Sequence, residues 1–103
     1  MLSSQEIIKA RKYLNGRDAE FAKLFKALSD VNRCKIFRVL TIKPRLSVSS
    51  TAKVLNISLP LASQHLKILL LNGLLKKEKQ GLKVYYELNW DKSVVTSLVK
   101  VIK

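Results

Sequence analysis

The chain has 103 residues, with 20 Lys and Arg against 7 Asp and Glu, a formal charge of +13, and 48% hydrophobic residues. Those figures describe one small domain with enough apolar side chains for a core, and they exclude a disordered basic tail. A single Cys and a single His exclude an internal disulfide and a zinc site held within one chain, and the longest apolar run, Ile68 to Leu71, is far short of the roughly 20 residues that span a bilayer.

In chain order, Ser3 or Ser4 caps a first predicted helix that runs to about Leu14, carries Ile7 and Ile8, and stops at Gly16. Asp18 is placed to cap a second, in which Phe21, Leu24, Phe25 and Leu28 recur at helical spacing. Asp30 caps a third, with Cys34, Ile36, Phe37 and Leu40 inward and Arg33, Lys35 and Arg38 toward solvent. Lys43, Pro44 and Arg45 end it. Ser47 then caps a short helix to Leu55, Asn56 and Ile57 turn, and Ser58 caps the next, with Pro60 in its first turn where a missing N–H does no harm. That helix buries Ala62, Leu66 and Leu69 and stops at Asn72 and Gly73. Two helices joined by so tight a turn spell helix-turn-helix.

After Gly73 the period changes from helical to alternating, which predicts a β-hairpin from Leu75 to Leu88 with Gly81 at its tip and Lys76, Lys77, Lys79 and Lys83 along it. Such a cationic ribbon can follow a phosphate backbone or reach a minor groove. Of Tyr85 and Tyr86, which alternate across the strand, one is expected in the core. Trp90 is expected to pack between the hairpin and a last helix capped by Asp91. In that helix Val94, Val95, Leu98, Val99, Val101 and Ile102 spread too widely for one small core, so an oligomer is expected.

The charge is unevenly placed. No acidic residue occurs in the 47 positions between Asp30 and Glu78, while Arg33, Lys35, Arg38, Lys43, Arg45, Lys53, Lys67, Lys76 and Lys77 all do. Solubility does not require removing every carboxylate from such a stretch, and a surface that faces phosphates does.

Four segments, Phe25-Lys-Ala-Leu-Ser-Asp-Val-Asn-Arg33, Leu59-Pro-Leu-Ala-Ser-Gln-His-Leu-Lys67, Asn72-Gly-Leu-Leu75 and Gln80-Gly-Leu-Lys-Val-Tyr-Tyr-Glu-Leu88, resemble in order and spacing the ArsR/SmtB winged-helix transcriptional regulators. The resemblance covers roughly residues 18 to 102. It implies a mainly α (α+β) winged helix-turn-helix fold of five to six helices and one hairpin wing, in a single domain over residues 1–103. It also implies a homodimeric repressor whose first and last helices, residues 1–16 and 91–103, form the subunit interface through Ile7, Ile8, Val94, Val95, Leu98, Val99 and Ile102. The helix from Ser58 would then lie in the major groove of double-stranded DNA, and the protein would act at the nucleoid in the cytoplasm.

The departures from the family pattern are as informative. Members that sense arsenic or cadmium carry paired Cys at the start of the helix before the recognition helix, where this chain has Ser47 and Ser49, and hydroxyls cannot replace thiolates as soft ligands. Members that sense zinc use Asp, His and Glu on the last helix, where this chain offers only Asp91. No metal or other cofactor is expected. Val31 stands where the family usually has Pro.

The expected DNA-facing residues are Ser58, Leu59, Leu61, Ser63, Gln64, His65 and Lys67 on the recognition helix, with Lys76, Lys77, Lys79 and Lys83 on the wing and Ser47 and Ser49 toward the backbone. Gln64 can bond bidentately to adenine, Ser63 can serve a base or a phosphate, and Leu59 and Leu61 can meet thymine methyls or a protein. His65 is a packing residue, a phosphate contact or a base reader. Ser63 and His65 lie about 200° apart on the helix, so they cannot pair as nucleophile and base, and with one His and no central carboxylate an enzyme is not expected. Cys34 is expected as a small buried hydrophobe, with an intersubunit disulfide as the other reading. The functional alternatives to a sequence-specific repressor are a sequence-neutral nucleic-acid architectural module and a protein-interaction module.

Overall fold

A computed structural model describes residues 1–14 and 16–102; positions 15 and 103, which fall within the two expected dimerisation segments, lie outside the described residues. The elements follow as α1 (Ser4–Tyr13), α2 (Asp18–Leu28), α3 (Val31–Leu40), α4 (Val48–Leu55), α5 (Leu59–Leu71), β1 (Leu75–Gln80), β2 (Lys83–Leu88) and α6 (Ser93–Ile102).

Side-chain caps set most of the helix starts. Ser3 Oγ accepts from the Glu6 N–H at 3.1 Å while Glu6 Oε1 accepts from the Ser3 N–H at 3.0 Å, a reciprocal pair that satisfies two otherwise orphaned donors. Asp30 accepts from the Arg33 N–H, Ser47 from Ser50 and Ser58 from Leu61. Two expected caps are corrected. Asp18 is the first residue inside α2, behind Arg17, and its carboxylate favours the helix start as a charge near the positive end of the dipole. Asp91 lies two residues before α6 and pairs with Lys76 instead.

The core is built from the inner sides of α2, α3 and α5 (Leu24, Ala27, Ile36, Phe37, Leu40, Leu66, Leu69), closed by Leu46, Leu74, Leu75, Tyr86 and Leu88 and by Val95 of α6. Burying each of the larger side chains contributes about 1.5–3 kcal/mol. Strands β1 and β2 pair antiparallel from Leu75↔Leu88 to Gln80↔Lys83, leaving Gly81 and Leu82 as a two-residue turn with Gly81 at φ 63. On the other side of β2, Leu46 and Tyr86 exchange backbone hydrogen bonds at 3.0 and 2.8 Å, which fastens the α3–α4 connection to the hairpin. Tyr86 is the tyrosine that enters the core.

Several apolar expectations are corrected by this packing. Phe25 is exposed, because the inner side of α2 centres on Leu24 and Ala27 and leaves Phe25 about 100° away from Leu24. Trp90 is 53% exposed; the junction it was expected to fill is held by Asn89, whose N–H donates to the Leu74 carbonyl and whose Nδ2 donates to the Gly73 carbonyl. Cys34 is half-buried rather than buried. Val95, expected at a subunit interface, is 0% exposed within its own chain and closes the core there. By contrast α1 contributes no buried residue. The described molecule extends 59 × 25 × 22 Å with a radius of gyration of 17.1 Å, against about 13 Å for a compact domain of this length.

Candidate nucleic-acid interface

Helices α4 and α5 meet at 110° across residues 56–58, within the range for a helix-turn-helix. Asn56 makes the turn by adopting left-handed geometry (φ 55, ψ 50), which Asn tolerates better than other non-glycine residues, and its N–H returns to the Ala52 and Lys53 carbonyls. Ser47 is committed to α4: besides capping Ser50, it bonds the Ser50 hydroxyl at 3.1 Å, and its carbonyl accepts from Thr51 Oγ1 at 2.8 Å. Ser49 is exposed.

The two sides of α5 are sharply different. Ala62, His65, Leu66 and Leu69 are buried, while Leu59, Ser63, Gln64 and Lys67 are exposed. Leu59, Ser63 and Lys67 follow one another at four-residue spacing and form a ridge, with Pro60 and Gln64 alongside. Leu61, 36% exposed, lies about 200° from Leu59 and flanks that surface.

His65 is the residue of the expected set that the structure moves to the inside, at 6% exposed. Its Nδ1 is 3.4 Å from Arg33 Nη1 and its Nε2 is 3.9 Å from Asp30 Oδ1. The two ring nitrogens thus face Arg33 on one side and Asp30 on the other. Arg33, expected in solvent, is itself fixed through Nε to the Ala27 carbonyl at 2.6 Å. The hydrogen bond from the Arg33 N–H holds the Asp30 carboxyl below its ordinary value against desolvation, with the charge of Arg33 adding to it. This Asp30–Arg33–His65 cluster ties the middle of α5 to the start of α3.

In the wing, alternation divides the lysines. Lys77 and Lys79 project on the side of their partners Tyr86 and Val84, while Lys76 and Lys83 project on the side of Glu87 and Tyr85. Lys76, expected as a free cation, sits at the hairpin base and is paired with Asp91, which raises its pKa. Lys77, Lys79 and Lys83 are exposed. Arg45, expected among the phosphate-facing cations but not as part of the wing, lies over the Tyr85 ring at 5.0 Å and 3.9 Å from Glu78 Oε2. Its position just before Leu46, the residue that pairs with β2, is the signal that places it there. Lys53 on α4 is a second exposed cation near the turn.

Among the described residues no three His, Cys, Asp or Glu side chains come together in a way that could hold a metal ion, and no single helix is long and apolar enough to cross a membrane.

A helix-turn-helix domain family matches residues 28–78. A cadmium resistance transcriptional regulatory protein CadC homolog from Staphylococcus aureus is 43% identical over 70 residues, 68% of this chain and 58% of that protein. The arsenical resistance operon repressor of Bacillus subtilis is 34% identical over 70 residues, 68% of this chain and 67% of the relative. Among solved structures, HlyU from Vibrio cholerae superposes with a TM-score of 0.77 at 27% identity, covering 86% of this chain and 94% of that one. The chain matches little more than half the length of the first curated relatives, 58%, 57% and 52%. The fold and the exposed side of α5 define a winged helix-turn-helix protein. By its likeness to these regulators, the chain belongs to the ArsR/SmtB family of transcriptional regulators.

Proposed function

We propose that this chain is a sequence-specific DNA-binding repressor, not an enzyme, that works in the cytoplasm as a homodimer on an inverted repeat. The observation that carries the reading is the two-sided α5: its inner side is closed by Ala62, His65, Leu66 and Leu69, and its outer side presents Leu59, Ser63, Gln64 and Lys67 from the 47-position stretch without a carboxylate.

In this reading α5 enters the major groove, where its first turns reach base edges and Gln64 bonds adenine. Lys53 and Lys67 meet phosphates beside it, and Lys77, Lys79 and Lys83 follow the backbone from the wing. Residues 1–16 and 91–103 join two copies through Ile7, Ile8, Val94, Leu98, Val99 and Ile102. The exposure of Ile7 and Ile8 at 42% and 52% on a helix with no buried residue supports that assignment. A dyad then sets two recognition helices about 34 Å apart, one turn of duplex. The cadmium and arsenic named for the relatives do not transfer by the family's thiolate route, since Ser47 stands at the helix start and is occupied as its cap.

The test is selection of bound duplexes from a random pool, then binding curves for the best duplex over a range of salt. The expected result is roughly nanomolar affinity that falls with salt at a log–log slope of about −0.9 per neutralised phosphate. Flat salt dependence would overturn the reading. A steep slope with equal affinity for scrambled duplexes would replace it with a sequence-neutral architectural module.

A further inference from the structure

The tip of α5 is chemically unusual for a helix assigned to a groove full of hydrogen-bonding edges. Leu59 is the first residue of the helix and is 54% exposed. Pro60 beside it is also exposed and carries no N–H. The next N–H, of Leu61, is already taken by Ser58 Oγ at 3.2 Å, and that of Ala62 by the Ser58 carbonyl at 2.9 Å. The first turn therefore has little capacity left for a phosphate, although a helix start otherwise favours one. What it presents is apolar surface, at the head of the Leu59–Ser63–Lys67 ridge and beside a cleft of about 360 Å³ lined by Ser49, Ala52, Lys53, Asn56 and Ile57 as well as Leu59. Ser49, Lys53 and Asn56 thus stand on the α4 side of Leu59, with Ala52 and Ile57 as the apolar part of the cleft between them.

We infer that Leu59 is a specificity-determining residue whose ligand is the C5-methyl group of thymine, so that each half-site carries a T·A pair under the tip of α5. The inference rests on α5 being the groove-bound helix and adds what its first residue reads. The thymine methyl is the one methyl group, and the largest apolar projection, on the major-groove edge of the base pairs. Leucine has neither donor nor acceptor, so over any other base edge it strips water from a polar group and returns no hydrogen bond. Over the methyl it removes apolar surface from water on both partners. Leu61, on the flank of the helix, is assigned no base.

The experiment replaces each thymine of the selected half-site in turn by deoxyuridine, which deletes the methyl group and leaves pairing intact, and compares Kd values for the native chain and for Leu59→Ala. At one position the native chain should lose about four-fold in affinity per half-site, and about fifteen-fold when both half-sites are changed. Leu59→Ala, a change at an exposed position that leaves the fold in place by circular dichroism, should bind the thymine and deoxyuridine duplexes equally at that position. The salt slope should be the same for both proteins, because no phosphate contact is altered. The inference is overturned if no deoxyuridine substitution weakens binding, or if Leu59→Ala still discriminates. Either result leaves the DNA-binding reading standing; failure to bind any duplex in a salt-dependent manner overturns both.

Discussion

Asp30 shows how one side chain serves both a helix start and the seating of a neighbouring helix. Its carboxylate caps α3 through the Arg33 N–H at 3.1 Å and faces the buried His65 ring of α5 at 3.9 Å. Asp30→Ala removes a cap worth about 1 kcal/mol, an expected fall in Tm of about 5 °C for a domain of this size. The pH dependence follows from the direction of the shift. The folded carboxyl titrates below its unfolded value of about 3.9. Its contribution is therefore complete above that value and is lost as pH falls from there through the folded value. Thermal melts should separate the native chain and the variant at neutral pH and converge in acid; a gap that persists through acid would show that the carboxylate is not the stabilising form. Spacing made the Asp30 cap legible and left packing as one reading of His65, but not the meeting of His65 with Arg33 and Asp30. A helical wheel places His65 near the edge of the inner face, and only the approach of Arg33 and Asp30 from another helix decides that it turns in. Phe25, at helical spacing, and Trp90, between the hairpin and the last helix, misled for the converse reason: large aromatic side chains look like core, whereas their exposure depends on which neighbouring residue, Leu24 or Asn89, takes the inward place.

The elements themselves were readable because local chemistry fixes their ends. Ser3, Asp30, Ser47 and Ser58 cap as expected, Asn56 takes the left-handed turn, and Gly81 opens the hairpin turn. The two misplaced caps, Asp18 and Asp91, are carboxylates whose charge is served equally well inside the first turn or by a lysine across a strand. That lysine separates the wing into cations with different work. Lys76 is held by Asp91, while Lys79 and Lys83 stand near the turn, opposite Val84 and Gln80. Lys79→Ala and Lys83→Ala should each weaken binding to all duplexes alike and reduce the magnitude of the salt slope by about one. Lys76→Ala should leave the slope nearly unchanged. Gln64→Ala, on α5, should instead change the ranking of duplexes while keeping the slope. Binding curves at four or five salt concentrations for these variants decide the matter, and an equal loss of slope for Lys76→Ala and Lys79→Ala would contradict the division of the wing.

At the scale of the whole molecule the open question is what covers α1. A ten-residue helix with no buried side chain is below the length at which helices persist alone in water, yet its capping box is complete and Ile7, Ile8, Tyr13 and Leu14 are all exposed. Helix α6 is only partly used by its own chain: Val95 is buried, Val94, Leu98, Val99 and Ile102 are half-buried, and Val101 is 82% exposed. The breadth of that stripe was visible in the sequence, but which of its residues enters the core was not, since that depends on how α6 comes to rest against the rest of the chain. The proposed second copy, burying both helices, would account for the elongated protomer as well as for the apolar surface. Sedimentation equilibrium should then give a mass near twice the 11.7 kDa of one chain. Ile8→Asp, placed on exposed surface of the protomer, should leave its circular dichroism intact outside α1 and weaken the dimer about a hundred-fold, because the dyad counts each loss of buried apolar contact twice. Val54→Asp, equally exposed on α4 but remote in sequence from both helices, should leave the mass unchanged. DNA affinity should fall with Ile8→Asp only at protein concentrations where the mass has fallen, since a single α5 meets half the phosphates and half the bases. A native chain that sediments at 11.7 kDa at micromolar concentration, or an Ile8→Asp variant that remains double that mass, would remove α1 from the interface.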